Sequence, residues 1–352
     1  MSTFDRLAGL PLEVEGYELE GLSAQVSSGF ERLSTVVHLQ GGGAEGVGED
    51  VVYEIEDQVA LQRAGAVLEL AGRYSLGEFC ELIDDLDLFG VAPERDVSRL
   101  YRRWTFHSAA LDLALTQAGR SLHDVLGRAP QSVSVVVSLR LGEPAILAPL
   151  QSRLEHYPSL RFKLDATSSW TPELIAALVR TGAVDSIDFK ALYHGTVVDQ
   201  APDPLLYHRV LDAFPDAWVE DPDIVTEATA ALLEPVQDRI TWDAPIHSIA
   251  DIEALGFPPR MVNLKPSRIG GLKKLCDTYD YCAEHGIGAY GGGQFELGPG
   301  RGQAQYLASL FHPDGPNDLA PVGYNDNEPA PGLPSSPLAP AASPVGFRWT
   351  SA

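Results

Sequence analysis

Five ionisable residues stand at or near the ends of five successive apolar segments: Lys163, Asp188, Glu220, Asp243 and Lys265. The three carboxylates suit a hard cation such as Mg²⁺, which prefers oxygen ligands. A lysine on each side of that ion could transfer protons on opposite faces of a bound substrate. The pattern predicts a metal-assisted acid–base site, provided that the fold brings the five side chains together.

Lysine is rare in this chain, so each lysine is a candidate for chemistry. Of the 25 basic residues only five are lysines. Arginine cannot lose its proton near neutral pH, whereas a desolvated lysine can. A neighbouring positive charge lowers the pKa of a lysine from about 10.4 toward the roughly 7 to 8 that suits a general base. Arg161, two residues before Lys163, is predicted to supply such a charge.

Residues 129–325 alternate between short apolar segments and segments with helical spacing of apolar residues. The predicted strands are 133–139, 160–165, 184–190, 217–221, 239–243, 261–265, 286–291 and 318–324. Continuous apolar strands alternating with helices indicate a parallel sheet, and eight such units predict a (β/α)8 barrel of the TIM type. Active sites of such barrels lie at the carboxyl ends of the strands, where the five residues stand.

Residues 1–128 have a different pattern and are predicted to form an α+β capping domain. Segment 12–60 is typical of a β-meander, in which the glycine-rich GGGAEGVGE is interpreted as a hairpin turn. Helical spacing then continues to Gly127, a predicted helix stop. The Pro- and Ala-rich tail, 326–352, is expected to pack back onto the body through its two aromatic residues, Phe347 and Trp349.

The net charge of −24 at pH 7 disfavours binding to nucleic acids and anionic membranes, which carry charge of the same sign. No signal peptide is recognisable, and no apolar run approaches the roughly 18 residues of a membrane span. We therefore expect a cytoplasmic protein without nucleic-acid or membrane partners. Cys80, Cys276 and Cys282 lack a CxxC spacing and are expected to be buried small side chains.

The chain resembles the enolase superfamily, and its lysine pair is similar to that of the muconate-lactonizing subgroup. The resemblance is carried by EGVGE in the capping domain and by RFK, DFK, VEDP, WDAP and NLKPSRIGG in the barrel. It implies a Mg²⁺ site, with Mn²⁺ as the alternative ion, formed by Asp188, Glu220 and Asp243. It also implies that Lys163 and Lys265 move the proton α to a substrate carboxylate, while the metal holds the resulting enolate.

The reactions implied by this resemblance are dehydration, as in o-succinylbenzoate synthase, racemisation or epimerisation, and cycloisomerisation. The substrate would be a small carboxylate, and the resemblance is compatible with a homo-oligomer. Capping-domain loops close over the site in this family and help to set specificity. In this chain that role falls to segment 24–34.

Several residues depart from the family pattern. Arg161 replaces the first lysine of the KxK motif, Lys190 replaces the usual asparagine of DxN, and Ala244 stands where an acid often follows the third ligand. Lys190 could bind the substrate anion or compete as the base. The weaker candidates for substrate contact or for support of the principal residues are Arg161, Lys190, Arg268, Gln294 and Glu296.

Asp165 stands in DATSSW, which resembles the family's metal-binding strand DAN-x-x-W. Asp165 lies two predicted βα units before Glu220, whereas ligands on adjacent strands should be one unit apart. Asp188 satisfies that spacing and is the predicted ligand. Asp165 is expected to orient a neighbouring loop or to cap the helix that begins near Thr171.

Two other functions are compatible with the sequence. In a class I aldolase, Lys163 or Lys265 would form a Schiff base and no metal would be needed. Alternatively, the barrel could be a non-catalytic binding protein, although the intact lysine pair disfavours that reading.

Overall fold

The computed structural model describes residues 1–26, 30–196, 198–326 and 328–350. Residues 27–29, the centre of the predicted specificity segment 24–34, lie outside this description. The flanking parts of that segment belong to two neighbouring strands of the N-terminal module.

The N-terminal module contains two antiparallel sheets. The first pairs β1, Pro11–Val14, with β5, Gly72–Ser75. The second has the order β2, Gly16–Gln25, β3, Glu31–Gly41, and β4, Ala44–Asp50. The predicted meander is therefore present as β2–β3–β4.

Helices cover the rest of this module: α1, Asp5–Ala8; α2, Ile55–Ala64; α3, Leu76–Asp85; α4, Val97–Gln117; and α5, Leu122–Leu126. A capping box starts α3, because Ser75 Oγ accepts from Glu78 N at 3.3 Å while the Glu78 carboxylate accepts from Ser75 N at 2.7 Å. Gly127 follows α5 with a φ of 64°, as the predicted helix stop requires. Helix α2 was not predicted, since its residues have no strong apolar stripe.

The glycine-rich segment 41–49 contains the predicted hairpin turn, because Gly42 and Gly43 have φ values of 56° and 73° and Gly41 pairs with Ala44 across them. The rest of the segment is strand β4. Its glycines serve close packing against α4. A Cβ on Gly46 would lie 2.2 Å from Ala109 O, and one on Gly48 would lie 2.0 Å from Thr105 O. Glycine in a strand here marks the approach of another backbone.

The second module is a curled sheet of seven parallel strands in sequence order. They are β6, Val137–Arg140; β7, Phe162–Asp165; β8, Val184–Asp188; β9, Trp218–Glu220; β10, Ile240–Trp242; β11, Met261–Asn263; and β12, Gly288–Tyr290. The intervening and following helices are α6, Ala148–His156; α7, Pro172–Thr181; α8, Pro204–Ala213; α9, Glu227–Leu233; α10, Ile249–Glu253; α11, Pro266–Ile269; α12, Leu272–His285; and α13, Pro299–Phe311. The predicted alternation of strands and helices is confirmed over these seven units.

The predicted eighth strand, 318–324, is not a regular strand in the described part of the chain. Asn317 and Asp318 each form one parallel bridge, to Val135 and to Gly292 respectively. This segment therefore lies between the two edges of the sheet. Pro321 has no N–H to continue a ladder, and a short 3-10 helix, Val322–Asn325, follows it.

The C-terminal tail packs on the body. Phe347 is buried, its N–H donates to Asp112 Oδ1 at 2.7 Å, and its ring lies 5.9 Å from that of Tyr306. All three cysteines are free and buried. Among the described residues, no helix combines the length and the apolar character needed to cross a membrane.

Candidate active site

The five principal residues predicted from the sequence converge at the carboxyl edge of the sheet. Lys163 lies within β7, Asp188 and Glu220 end β8 and β9, and Asp243 and Lys265 follow β10 and β11. All five are at most 6% exposed. The parallel register places Asp188 beside Glu220, and it places strand β7 beside β8.

Lys163 lies among carboxylates. Its Nζ is 2.5 Å from Glu220 Oε1, 3.3 Å from Asp188 Oδ2 and 3.4 Å from Asp318 Oδ2. Burial alone would lower the pKa of this ammonium, but the surrounding carboxylates raise that pKa well above its usual value. Lys163 is therefore held in its protonated form.

Lys265 has a different neighbourhood. Its Nζ donates to Asp243 Oδ2 at 2.7 Å, the one carboxylate within ion-pair distance in the described residues. Arg268 Nη1 binds the same residue, at 2.6 Å from both Asp243 Oδ1 and Asp243 O. Burial, with a contribution from Arg268, lowers the pKa of Lys265 even though Asp243 opposes the shift.

Three buried carboxylates provide a candidate metal site. Asp188, Glu220 and Asp221 each offer an oxygen atom, and these atoms lie within 4.8 Å of one another. Asp221 was not predicted. Its φ is 44°, and its carboxylate accepts from Asp243 N and Ala244 N, both at 2.9 Å. Its position next to Glu220 in VEDP was the available signal.

The charges of this cluster do not balance. Its carboxylates are Asp165, Asp188, Glu220, Asp221, Asp243 and Asp318, and its cations are Lys163, Lys190, Lys265 and Arg268. Six acids against four bases give a formal excess of two negative charges when all are ionised, and buried charge without compensation is costly. Burial raises the pKa of Glu220 well above its usual value; Lys163 opposes this shift, and Asp188 and Asp243 add to it. One divalent cation would restore the balance, so the residues fit such an ion.

Lys190 points into the same cluster. It has a left-handed φ of 53°, and its ammonium contacts the Asp188 carboxylate and lies 3.8 Å from Asp165 Oδ1. Asp165 does not cap helix α7, because Thr171 Oγ1 accepts from Leu174 N at 3.2 Å and caps it instead. The expected capping role of Asp165 was therefore wrong.

Arg161 was expected to place a positive charge beside Lys163, and this expectation was wrong. Its Nε donates to Asp185 Oδ1 at 2.9 Å, and its guanidinium also contacts Gly182 O. These partners lie at the amino end of the sheet. Because Arg161 precedes β7, its side chain pairs there rather than reaching the carboxyl edge.

Gln294 and Glu296 are buried in the loop after β12, near Lys265. Gln294 Nε2 lies 3.5 Å from Ser267 Oγ, and Gln294 N donates to Glu296 Oε1 at 2.7 Å. Glu296 Oε2 lies 3.0 Å from Arg301 Nη2. The side chains of Gln294 and Glu296 therefore have their polar partners in the loop itself, in Ser267 and in Arg301.

Two tyrosines complete the site and escaped the sequence analysis. Tyr290, the last residue of β12, donates to Glu220 Oε2. Tyr193 donates to Asp243 Oδ2 at 2.8 Å. Neither residue belongs to a recognisable motif, although Tyr290 ends a predicted strand and could have been found from that position.

Family models for a domain of unknown function, DUF8230, match this chain over both modules. The N-terminal model covers residues 5–125, and the C-terminal model covers residues 129–326. The chain belongs to the DUF8230 family. The function of that family is not given by its description, so similarity to other proteins carries the comparison further.

One relative of this DUF8230 chain is o-succinylbenzoate synthase of Geobacillus stearothermophilus. The two are 31% identical over 222 residues, which cover 60% of this chain and 56% of that protein. The chain spans a little over half the length of the first curated relatives that it matches.

Two solved structures show the same fold. Dipeptide epimerase from Enterococcus faecalis V583, complexed with Mg and the dipeptide L-Leu-L-Tyr, has a TM-score of 0.68 at 17% identity and covers 96% of this chain and 99% of that one. Muconate lactonizing enzyme from Pseudomonas putida has a TM-score of 0.65 at 18% identity and covers 96% and 97%. The predicted resemblance to the enolase superfamily and its muconate-lactonizing subgroup is confirmed.

Proposed function

We propose that this DUF8230 protein is an enzyme that removes the proton α to a carboxylate of a small substrate. The observation that carries this proposal is the placement of two buried lysines, Lys163 and Lys265, on opposite sides of a carboxylate cluster at one sheet edge. We also propose that residues 129–325 form a (β/α)8 barrel closed by the Asn317–Asp318 bridges, with residues 1–128 as its capping domain.

The lysines supply the proton transfers in this proposal. Lys265, whose pKa is lowered by burial, would take a proton from one face of the substrate. Lys163, held as an ammonium by Glu220 and its neighbours, would deliver a proton to the other face or to a leaving group. A cation at the carboxylates would supply electrostatic stabilisation of negative charge that develops on the substrate carboxylate.

We propose Mg²⁺ as that ion and Asp188, Glu220 and Asp243 as its ligands. Asp188 and Glu220 offer oxygen atoms close enough to share one ion, and Asp221 is the third carboxylate of that group. For the third ligand, Asp243 is favoured over Asp221 because it follows a separate strand, β10, at the same sheet edge. The carboxylate of Asp221 instead accepts from Asp243 N and Ala244 N, both at 2.9 Å.

Two reaction types have support from the named relatives. The synthase from Geobacillus stearothermophilus favours elimination, and the dipeptide epimerase favours inversion at the α-carbon. Both reactions start with the same proton abstraction. The lysine placement therefore supports the shared first step, and the substrate determines which outcome follows.

Exchange of the α-proton with solvent deuterium tests this proposal. The purified protein would be incubated in D₂O with a panel of N-succinylamino acids and dipeptides, with Mg²⁺ or with a chelator. We expect exchange that requires the metal, and the same panel would be screened for stereoinversion. No exchange with any carboxylate would contradict the proposal. Trapping of substrate on a lysine by borohydride, insensitive to chelator, would instead indicate an aldolase-type Schiff base.

A further inference from the structure

Glu49, on strand β4 of the N-terminal module, binds the start of a helix in the other module. Its Oε1 accepts from Leu297 N at 2.6 Å, and its Oε2 accepts from Gly298 N and Gly300 N, both at 3.0 Å. These N–H groups belong to the first turn of α13 and the residues before it, where no side chain of the helix's own N-cap provides a partner. Ser34 Oγ donates to Glu49 Oε1 at 2.7 Å and orients the carboxylate.

Arg32, on the adjacent strand β3, binds the same loop a few residues earlier. It is 1% exposed. Its Nη2 donates to Gln294 O at 3.1 Å, and its Nε donates to Phe295 O at 3.3 Å. On the N-terminal side, Nη1 donates to Val52 O at 2.7 Å and Nη2 to Val51 O at 2.6 Å. One guanidinium thus joins the main chains of both modules.

The loop that Arg32 and Glu49 hold, residues 291–298, lies against Lys265. A Cβ on Gly292 would be 2.3 Å from Lys265 Cε, so the loop backbone touches the lysine side chain at this point. Gln294 reaches Ser267, two residues after Lys265. Phe295 has a left-handed φ of 54°, which a non-glycine residue adopts at a cost and which the surrounding contacts must maintain.

We propose that Arg32 and Glu49 are positioning residues that fix loop 291–298 and thereby the side chain of Lys265. The N-terminal module would then act on Lys265 more than on Lys163, because loop 291–298 touches the Lys265 side chain directly but reaches Lys163 through Asp318, whose main chain it binds. The catalytic consequence rests on the proposed function. The contacts that run from Arg32 and Glu49 through loop 291–298 to Lys265 do not depend on the proposed function.

The small number of lysines allows a direct test by NMR. Protein labelled with [ε-¹³C]lysine should give five lysine signals, one for each lysine of the chain, and Lys→Arg variants assign them. Glu49→Gln keeps the size of the side chain, but one carboxylate oxygen becomes an NH₂ group, which cannot accept hydrogen bonds from the N–H groups at the start of α13. Arg32→Met keeps the stem and removes all the bridging hydrogen bonds. Gly292→Ala, which inserts a methyl group against Lys265, is the positive control.

The matched control is Glu45→Gln, on the same strand as Glu49, because the side chain of Glu45 is 43% exposed. We expect Glu49→Gln and Arg32→Met to shift or broaden the Lys265 signal, to move the Lys163 signal less, and Glu45→Gln to leave both in place. If either variant does not fold by circular dichroism, Ser34→Ala removes one donor to Glu49 and should give a smaller shift of the same signal. The proposal would be overturned if Gly292→Ala moves the Lys265 signal but folded Glu49→Gln and Arg32→Met leave that signal unchanged.

Exchange measurements separate this proposal from the proposed function. With an exchanging substrate, Glu49→Gln and Arg32→Met should slow exchange on the face served by Lys265 by about 10- to 100-fold, since displacements near 1 Å have effects of that order. Exchange on the Lys163 face should change much less, and equal losses on both faces would contradict selective positioning. A moved Lys265 signal without exchange on any carboxylate would support the positioning role and refute the proposed enzyme.

Discussion

Lys163 and Lys265 are both buried at the same sheet edge, yet their surroundings differ. Lys163 has three carboxylates within 3.4 Å of its ammonium. Lys265 has Asp243 at 2.7 Å, and Arg268 binds that same carboxylate. Burial acts on both lysines in the same direction, so the charges nearby decide the opposite outcomes: the pKa of Lys163 is raised and that of Lys265 is lowered.

In the proposed reaction, this difference would give the two lysines separate tasks. A proton transfer across a substrate needs one lysine without its extra proton and one with it. The opposite directions of the two pKa shifts support the proposed roles, Lys265 as the proton acceptor and Lys163 as the proton donor.

The largest expected effect comes from the carboxylates between the lysines. Glu220→Gln removes a proposed metal ligand and the nearest partner of Lys163, so we expect divalent-cation binding and exchange on both faces to fall by about 10³-fold or more. Calorimetry with Mg²⁺ and the exchange assay measure the two losses. The exposed Glu234 supplies the control Glu234→Gln. Undiminished Mg²⁺ affinity in Glu220→Gln would show that the ion binds elsewhere.

The pH dependence should differ between the two directions of reaction. A base must be neutral to accept a proton, so the rate of the direction that starts at Lys265 should rise with pH and level off at the lowered pKa of that lysine. The direction that starts at Lys163 requires neutral Lys163, whose pKa is raised, and should level off at higher pH. Profiles of kcat/KM for both enantiomers would test this order. Equal midpoints in the two pH profiles, or a lower midpoint for the direction that starts at Lys163, would contradict the difference between the two lysines.

Removal of a single charge beside Lys163 should reduce the difference between the pKa values of the two lysines. Asp318→Asn removes one carboxylate 3.4 Å from Lys163 and should lower its pKa. Exchange started by Lys163 near neutral pH should then rise, by about 10-fold or less. The exposed Asp314→Asn is the control, since Asp314 has no contact with Lys163. Unaltered pH profiles of exchange in Asp318→Asn would show that Asp318 does not raise the pKa of Lys163.

The smallest expected effect belongs to Arg161. Its guanidinium pairs with Asp185, and its side chain is 41% exposed. Arg161→Met should therefore leave both pH profiles unchanged and cost at most about 1 kcal/mol of the free energy of unfolding, as for exposed ion pairs. A shift of the Lys163 profile would restore the role that the sequence suggested. Denaturant unfolding and the exchange assay would measure both quantities.

Much of the second module follows from periodicity. Seven strands and their helices were predicted because apolar runs and helical spacing are local properties, and the carboxyl-edge rule then brought Lys163, Asp188, Glu220, Asp243 and Lys265 together. The eighth unit failed because its ladder is interrupted by Pro321. The hairpin turn at Gly42–Gly43 was predicted, but the reason for the glycines within β4, the close approach of α4, is visible only in three dimensions.

The remaining site residues depend on contacts that no local pattern specifies. Tyr193 and Tyr290 meet carboxylates of other strands. Asp221 enters the cluster through a left-handed backbone conformation, and Arg161 leaves it because its side chain finds Asp185 at the opposite end of the sheet. The direction in which a side chain points, rather than its residue type, decides whether it belongs to the site.

The central claim is that each lysine serves one face of the substrate. Deuterium exchange in the presence of Mg²⁺, followed separately for the two enantiomers in Lys163→Ala and Lys265→Ala, tests it most directly, with the exposed Lys274→Ala as control. We expect each variant to lose exchange on one face, the two faces to be opposite, and Mg²⁺ binding to persist in both. Loss of both faces, or of neither, in one variant would contradict the two-lysine account.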